Sequence, residues 1–352
     1  MTRPTRLALV SLASAVPMGQ QLYETEIARR AESAAGDSWE VRALAVRSLR
    51  SPLPGDIRLP SRLLDRGPRA ARLAAGWWMY RGYDLVHRLD LRLPPAVGRE
   101  VVTVHDVAPW RFDDEGAVPM DAAWSCRRAR AVVCPSAFAA SEVAAVLGLA
   151  EQPHAVPNGV SEDFFHAGPL SPAQLATLGI HGHYVLHAGG CTRRKNLQAL
   201  AEAWPLVRSA RARATLALAG PQDIRRDTLF GQLPGTVLLG RVARETLLGL
   251  VAGASAVVVP SIYEGFGLPA LEAMAAGTPV VAANCAALPE VCGEAAILVE
   301  PSGSGLAEGV LAVLNREVNV DRLVQLGRER ASGFSWRAGA EAHAKIWAAA
   351  RT

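Results

Sequence analysis

The chain has 352 residues, half of them hydrophobic and a fifth charged, with a formal net charge of +4. That balance excludes an intrinsically disordered chain, and the length suffices for two domains whose cores need no disulfide or metal staples. No run of about 20 apolar residues occurs, so no transmembrane helix is expected. The five cysteines, Cys126, Cys134, Cys191, Cys285 and Cys292, are odd in number and form no CxxC pair. They read as free thiols in a reducing cytoplasm.

The N-terminus, MTRPTRLALVSLASAVP, has the short basic start and apolar run of a leader peptide. LALVSLA also reads as a buried first strand before a Pro/Gly loop and a helix, and the strand is the expectation. Further strands are expected at Glu40–Ala45, Leu85–His87, Val101–His105, Ala131–Cys134 and His154–Val156. In the second half they fall at Tyr184–His187, Thr215–Ala219, Val237–Leu239, Ala256–Pro260, Val280–Ala283 and Ala296–Val299. Helix-period segments lie between most of them. Such alternation implies parallel sheets covered on both faces, and twelve strands are many for one sheet. A break near Phe165–Ser171, in FHAGPLSP, leaves about six strands on each side. The expected architecture is α/β: two Rossmann-like, doubly wound domains facing across a cleft, 1–168 and 169–334. In such sheets ligands bind beyond the carboxyl ends of the strands.

Charge is uneven. Nine arginines (42, 47, 50, 58, 62, 66, 69, 72 and 81) stand against Asp56 and Asp65 between Arg42 and Arg81. The stretch reads either as a solvated face or as a surface for anionic partners such as lipid headgroups.

The segment His183–Leu200, HYVLHAGGCTRRKNLQAL, runs from a strand through a Gly pair to Arg193, Arg194 and Lys195, just before a helix near Asn196. Adjacent cations at a strand end suit an anion, and a diphosphate is the obvious guest. Val257–Val281, VVVPSIYEGFGLPALEAMAAGTPVV, gives a strand, a glycine loop and a helix with Pro269 in its first turn and Gly277 at its end. Gly265 and Gly267 permit close backbone approach, and the first-turn N–H groups from Leu268 on favour an anion. Glu264 and Glu272 bracket the loop with seven residues between them, and carboxylates accept hydrogen bonds from paired sugar hydroxyls. Taken singly, the one segment also reads as a βαβ crossover with a capping acid and the other as three solvated cations.

Together these segments are similar to the retaining glycosyltransferases of family 4, which have the GT-B fold. EGFGLPALEAMAAGTPVVAAN resembles the family's Glu-x7-Glu signature, and HAGGCTRRKNL its Gly-x-x-x-x-Arg-Lys-Asn-Leu segment. VVTVHDVAPWRFDDEG, AVPNGVSEDFF and LPEVCGEAAILVEP resemble three further runs in the right order. The resemblance implies that Arg194 and Lys195 hold the donor diphosphate. Glu264 would bind donor-sugar hydroxyls, and the N–H groups of Phe266, Gly267 and Leu268 would contact sugar and β-phosphate. Glu272 would bind the ribose, Val242 would lie near the base, and His105 would sit across the cleft beside the transferring sugar. After strand one the family often has a Gly-Gly or Gly-x-Gly loop. Here AVPMGQQLYETE keeps Gly19 alone, with Gln20 placed to crowd the loop. The final helix, 335–352, capped by Ser335 and anchored by Trp336, Ile346 and Trp347, would cross back to the N-terminal domain and limit the lobes to hinge-like closure.

The implied activity is retaining, metal-independent hexosyl transfer from a nucleoside-diphosphate sugar, GDP-mannose or a UDP-hexose, to a glycan, lipid-linked or small-molecule acceptor. The sugar nucleotide is a substrate, so no cofactor and no metal are expected. Asp113 and Asp114 are adjacent, and no Asp-x-Asp lies between apolar runs. The expected location is the cytoplasm, with peripheral membrane contact through Arg42–Arg81 and no nucleic-acid partner. The alternatives are a sugar-nucleotide 2-epimerase of the same fold and a non-catalytic binder. A dehydrogenase is disfavoured, because no Gly-x-Gly-x-x-Gly follows an early strand.

Overall fold

Runs such as Ala131–Cys134 and Val280–Ala283 offer water no polar face, and they form strands buried on both sides. The computed structural model describes residues 3–14, 19–60 and 67–352. Contacts divide the chain into two units. One runs to Gly159 and resumes at Ser335–Thr352, and the other is Val160–Phe334.

The first unit is a seven-stranded parallel sheet in the order β3-β2-β1-β4-β5-β6-β7. Its strands are β1 (Thr5–Leu12), β2 (Trp39–Ser48), β3 (Ile57–Leu59), β4 (Leu85–Arg88), β5 (Glu100–Thr103), β6 (Ala131–Cys134) and β7 (His154–Ala155). Helix α1 (Gly19–Ala35) follows β1, and α2 (Arg69–Tyr80) packs Met79 and Tyr80 onto Val10, Leu44, Val46 and Leu59. A buried ion pair, Arg88 Nε to Glu100 Oε1 at 2.5 Å, fixes the loop after β4: Arg88 also donates to the Leu93 carbonyl, and Glu100 accepts from the Ala96 N–H.

The second unit is a six-stranded parallel sheet in the order β10-β9-β8-β11-β12-β13. It comprises β8 (Tyr184–Ala188), β9 (Thr215–Ala219), β10 (Thr236–Gly240), β11 (Ala256–Val259), β12 (Val280–Ala283) and β13 (Ile297–Val299). Period-two alternation sorts its strand side chains. Tyr184, Leu186, Val257 and Val259 join one core with α4 (Leu268–Ala276), and Val185, Val258 and Val281 join another with α3 (Leu197–Ala210) and α5 (Gly303–Leu314).

All twelve expected strands occur, with ends shifted by up to three residues; the three-residue edge strand β3 is additional. The first strand, Thr5–Leu12, buries its centre, as a sheet strand does. The chain leaves the first unit at Gly159, not at 168. Val160 and Phe164 are buried in the second unit's core, and Pro169 and Leu170 lie against Gly249 and Gly253. The Gly/Pro/Ser-rich segment is therefore a loop of the second unit.

The last helix, α6 (Trp336–Arg351), belongs to the first unit and runs beside α1. Ser335 Oγ accepts from the Ala338 N–H, capping it. Trp347 is fully buried, and its Nε1–H donates to His87 Nδ1 at 3.1 Å. Since tryptophan can only donate, a neutral His87 carries its hydrogen on Nε2 and donates it to Thr103 Oγ1 (2.8 Å). The Tyr23 hydroxyl joins Thr103 (3.0 Å) to His343 Nε2 (2.9 Å), and the His343 ring stacks on Trp347. Burial holds both histidines below the usual range, His343 at about 3.

Candidate active site

The strand order of the second sheet reverses at β8, whose neighbours are β9 and β11, so the loops after β8 and β11 open a crevice at their carboxyl ends. Gly189 and Gly190 leave β8, with their carbonyls accepting from the buried Arg226 guanidinium. Arg193–Lys195 make one 3-10 turn, and Asn196, at φ +53°, turns the chain into α3. Asparagine tolerates that left-handed conformation. Its side-chain amide donates to the carbonyls of Pro260 (3.1 Å) and Pro301 (3.0 Å), tying three strand-end loops together. The Ile262 N–H donates to the Arg194 carbonyl, which clamps the loop after β11 onto the loop after β8.

These clamps bring the two halves of the site together. Lys195 Nζ donates to Glu264 Oε1 at 2.6 Å, and Arg194 Nη1 to Glu264 Oε2 at 2.9 Å and to the Tyr263 carbonyl at 3.2 Å. The anion beside the adjacent cations is thus Glu264 itself. Glu264 and Lys195 are buried and Arg194 is largely so. Burial would raise the Glu264 carboxyl, but Lys195 and then Arg194 outweigh it and bring the pKa down to about 2. The group keeps one net positive charge. Three residues on, Gly267 caps α4 at φ +113°, a conformation that favours glycine; a Cβ there would also come within 2.8 Å of Leu288 Cδ2. Gly265 and Phe266 are buried and Leu268 half-buried. The Phe266 ring meets Phe334 edge-on at 5.8 Å.

Glu272 lies in the second turn of α4, half-buried. Burial pushes its carboxyl up to about 7, with Arg244 pulling the other way. Arg244 opens a helix just after Val242 and donates to Asp163 Oδ2 (2.7 Å) and Ser161 Oγ (2.9 Å). Val242 is half-buried against the core that holds Phe266 and Leu271.

His105 and Gly19 belong to the first unit. β5 ends at Thr103, so His105 stands in the loop after the strand, its ring edge-on to Tyr23 at 4.8 Å. Burial lowers its pKa, against Asp106 and Asp90. Gly19 opens α1; the rest of its loop, 15–18, lies outside the described residues. Gln20, expected to crowd that loop, instead bonds Glu24 Oε1 (3.0 Å) and Asp90 Oδ2 (3.1 Å). The bonds made by Asn196, Arg226 and Gln20 escaped the sequence reading, which took Asn196 only as a helix start and Gln20 only as crowding a loop. Each acts through partners distant in the chain, and only the Asn before an apolar helix start hinted at a special turn.

Of the nine arginines, Arg62 and Arg66 lie outside the described residues, as does Asp65. Arg72 is buried and donates to the Leu93 carbonyl, Arg47 is half-buried, and Arg42, Arg50, Arg58, Arg69 and Arg81 are exposed.

Residues 22–164 match the family model described as Glycosyltransferase Family 4, and residues 182–316 that of Glycosyl transferases group 1. The chain is 31% identical over 282 residues to O-antigen chain mannosyltransferase B of Escherichia coli, covering 74% of this chain and 73% of that protein. Its fold is similar to sucrose-phosphate synthase of Thermosynechococcus elongatus (TM-score 0.77, 23% identity, 98% of each chain). It is also similar to Anabaena HepE in complex with UDP and glucose (TM-score 0.74, 19% identity, 98% of this chain and 99% of that one). Two parallel-sheet α/β units with these neighbours define the GT-B fold. The mannosyltransferase relative and the two family models carry the assignment further: the chain belongs to glycosyltransferase family 4.

Proposed function

We propose that the protein transfers a hexosyl group from a nucleoside-diphosphate sugar to a sugar-containing, lipid-linked or small-molecule acceptor, with retention and without a metal ion. The observation that carries this is Glu264 held by Lys195 and Arg194 at the strand reversal, three residues before the N-terminus of α4. A donor diphosphate would compete with Glu264 for the two cations. In taking them it would release the carboxylate to accept hydrogen bonds from sugar hydroxyls. As the glycosidic bond breaks, charge grows on the diphosphate; Arg194, Lys195 and the N–H groups of Gly267 and Leu268 would stabilise it, which is commonly the largest catalytic contribution. Those charges make a metal ion dispensable. In a front-face transfer the departing phosphate oxygen accepts the acceptor's proton, with His105 assisting as a hydrogen-bonding group. Glu272 would hold the ribose, Val242 would lie near the base, and Gly19 would approach donor or acceptor.

The mannosyltransferase relative favours a mannosyl donor such as GDP-mannose, and HepE with UDP and glucose favours a UDP-hexose. Both speak against the epimerase and the binder. The free cysteines suit a cytoplasmic location. The test is incubation with GDP-mannose and UDP-hexoses, with and without EDTA. Slow release of nucleoside diphosphate, unaffected by EDTA, supports the reading. An isomerised sugar nucleotide, no turnover, or a strict Mg²⁺ requirement overturns it.

A further inference from the structure

The outer face of α2 reverses the pattern of a surface helix. At about 100° per residue, Ala70, Ala71, Ala74, Trp77 and Trp78 share an arc of about 120°, and all five are exposed. Trp77 and Trp78 are 60% and 50% exposed, whereas the other six tryptophans are buried or half-buried. The arc carries no charge. An ordinary solvated face looks like that of the helix Val320–Ser332, which exposes Asp321, Arg322, Gln325, Arg328 and Glu329.

Nor is α2 loosely attached. Its inner face buries Arg72, Gly76, Met79 and Tyr80, and a Cβ on Gly76 would lie 2.0 Å from the Pro95 carbonyl oxygen. The two indoles are therefore held outward on a fixed support.

Cations frame this apolar arc. Exposed Arg69 and Arg81 stand at its two ends. Arg69 lies 4.8 Å over the Trp124 ring and Arg128 lies 5.2 Å over the same ring, and Arg128 donates to the carbonyl of Val97, itself 52% exposed. The acid beside them, Asp121, is nearly buried and already accepts from Arg69. Indoles partition to the boundary between water and acyl chains, and guanidinium groups beside them select a negative surface.

We propose that this face of the first unit docks the enzyme on a lipid bilayer bearing anionic headgroups, with Trp77 and Trp78 entering the interface and Arg69, Arg81 and Arg128 meeting the headgroups. Charge complementarity selects the bilayer as occupant, since Arg69, Arg81 and Arg128 border the apolar arc while the acids that meet them, Asp121 and Glu100, are nearly or fully buried.

Co-sedimentation of the full chain with vesicles tests it. The protein should pellet with phosphatidylcholine vesicles containing phosphatidylglycerol and stay in solution with phosphatidylcholine alone. The double variant W77S/W78S should lower the vesicle-bound fraction at least tenfold while keeping the wild-type thermal shift with nucleoside diphosphates. Ile224→Ser, which removes the most exposed apolar side chain of the second unit, should change nothing. The proposal falls if wild type ignores the anionic vesicles or if W77S/W78S pellets like wild type. It also falls if sedimentation velocity shows a dimer that W77S/W78S dissolves, because a second copy would then be the occupant.

Discussion

In the first unit Tyr23, His87, Thr103, His343 and Trp347 form a buried hydrogen-bonded set with no formal charge; in the second, Arg194 and Lys195 place two cations within hydrogen-bond reach of the Glu264 carboxylate. Both sets occur in parallel α/β units, yet they are built for different ends. The neutral set joins α6 and α1 to β4 and β5 through bonds that its members make to one another. The charged set keeps one positive charge in excess beside a helix N-terminus, where, on the proposed reading, an incoming diphosphate would exchange with Glu264. A buried polar group thus serves cohesion when its partners are fixed and neutral, and binding when its partners are charged and exchangeable.

The comparison is broken most strongly by Trp347→Ala. It removes a fully buried indole and leaves His87 Nδ1 without its donor, so the first unit should lose about 3–5 kcal/mol. Hydrogen exchange should show the loss in α1 and α6 and not in α4. Equal protection in α1 and α6 would mean that the set is not cohesive.

Acid should separate the two units next. Burial depresses His87 and His343 far enough that they stay neutral in the folded chain and take up protons on unfolding below about pH 6.5, and it shifts His105 in the same direction. Their contribution is complete above that pH and is lost progressively as pH falls below it, for His343 down to about 3. Glu24, raised to about 8, works oppositely and offsets one of them. The first unit should lose about 1.4 kcal/mol per pH unit for each uncompensated histidine. In the second unit, His187 (about 4) and Glu272 (about 7) oppose each other, and Glu264 stays ionised down to about pH 2. Unit-resolved hydrogen exchange between pH 6.5 and 5 should weaken α6 while leaving β8 and β11 unchanged.

Glu264→Gln sharpens the charged half. It keeps the shape but removes the charge, and turnover should fall about 10²-fold or more with the fold intact. Near wild-type turnover would take Glu264 out of the reaction. Lys195→Ala should weaken nucleoside diphosphate binding by roughly 1.5–3 kcal/mol, the scale of charge-assisted hydrogen bonds. Isothermal titration with unchanged affinity would make the lysine a structural partner of Glu264 only.

The sequence revealed the charged site more readily than the neutral one, for a physical reason. Arg194 and Lys195 lie in the loop after a strand, and Glu264 sits between an apolar run and a proline-marked helix, so strand and helix periodicity puts them beyond strand ends. The neutral set draws its residues from four segments of the chain; His87 meets Trp347 across 260 positions, and Tyr23 meets His343 across 320. Nothing in DLVHR or EAHAKIW announces a partner. The Gly159/Val160 crossing was hidden because apolar residues on both sides suit either core, whereas the loop-like composition lay nine residues later. Trp77 and Trp78 lie in the arginine-rich stretch, where the sequence does not mark which way they point. Their outward aim became legible once Arg72 and Gly76 were seen to face inward.

The position of α6 in the chain bears on how the protein is made. A ribosome completes residues 1–159 first, but the helix that closes their polar set follows only after residues 160–334. At the usual pace of synthesis that interval is roughly 10–35 s. Until then Tyr23 and His87 have no α6 partners, while the inserted unit holds its own ends together through the Val160 N–H and the Phe334 carbonyl. The second unit can therefore finish folding before the first, and the nascent first sheet must wait, incompletely covered, for the last helix to emerge.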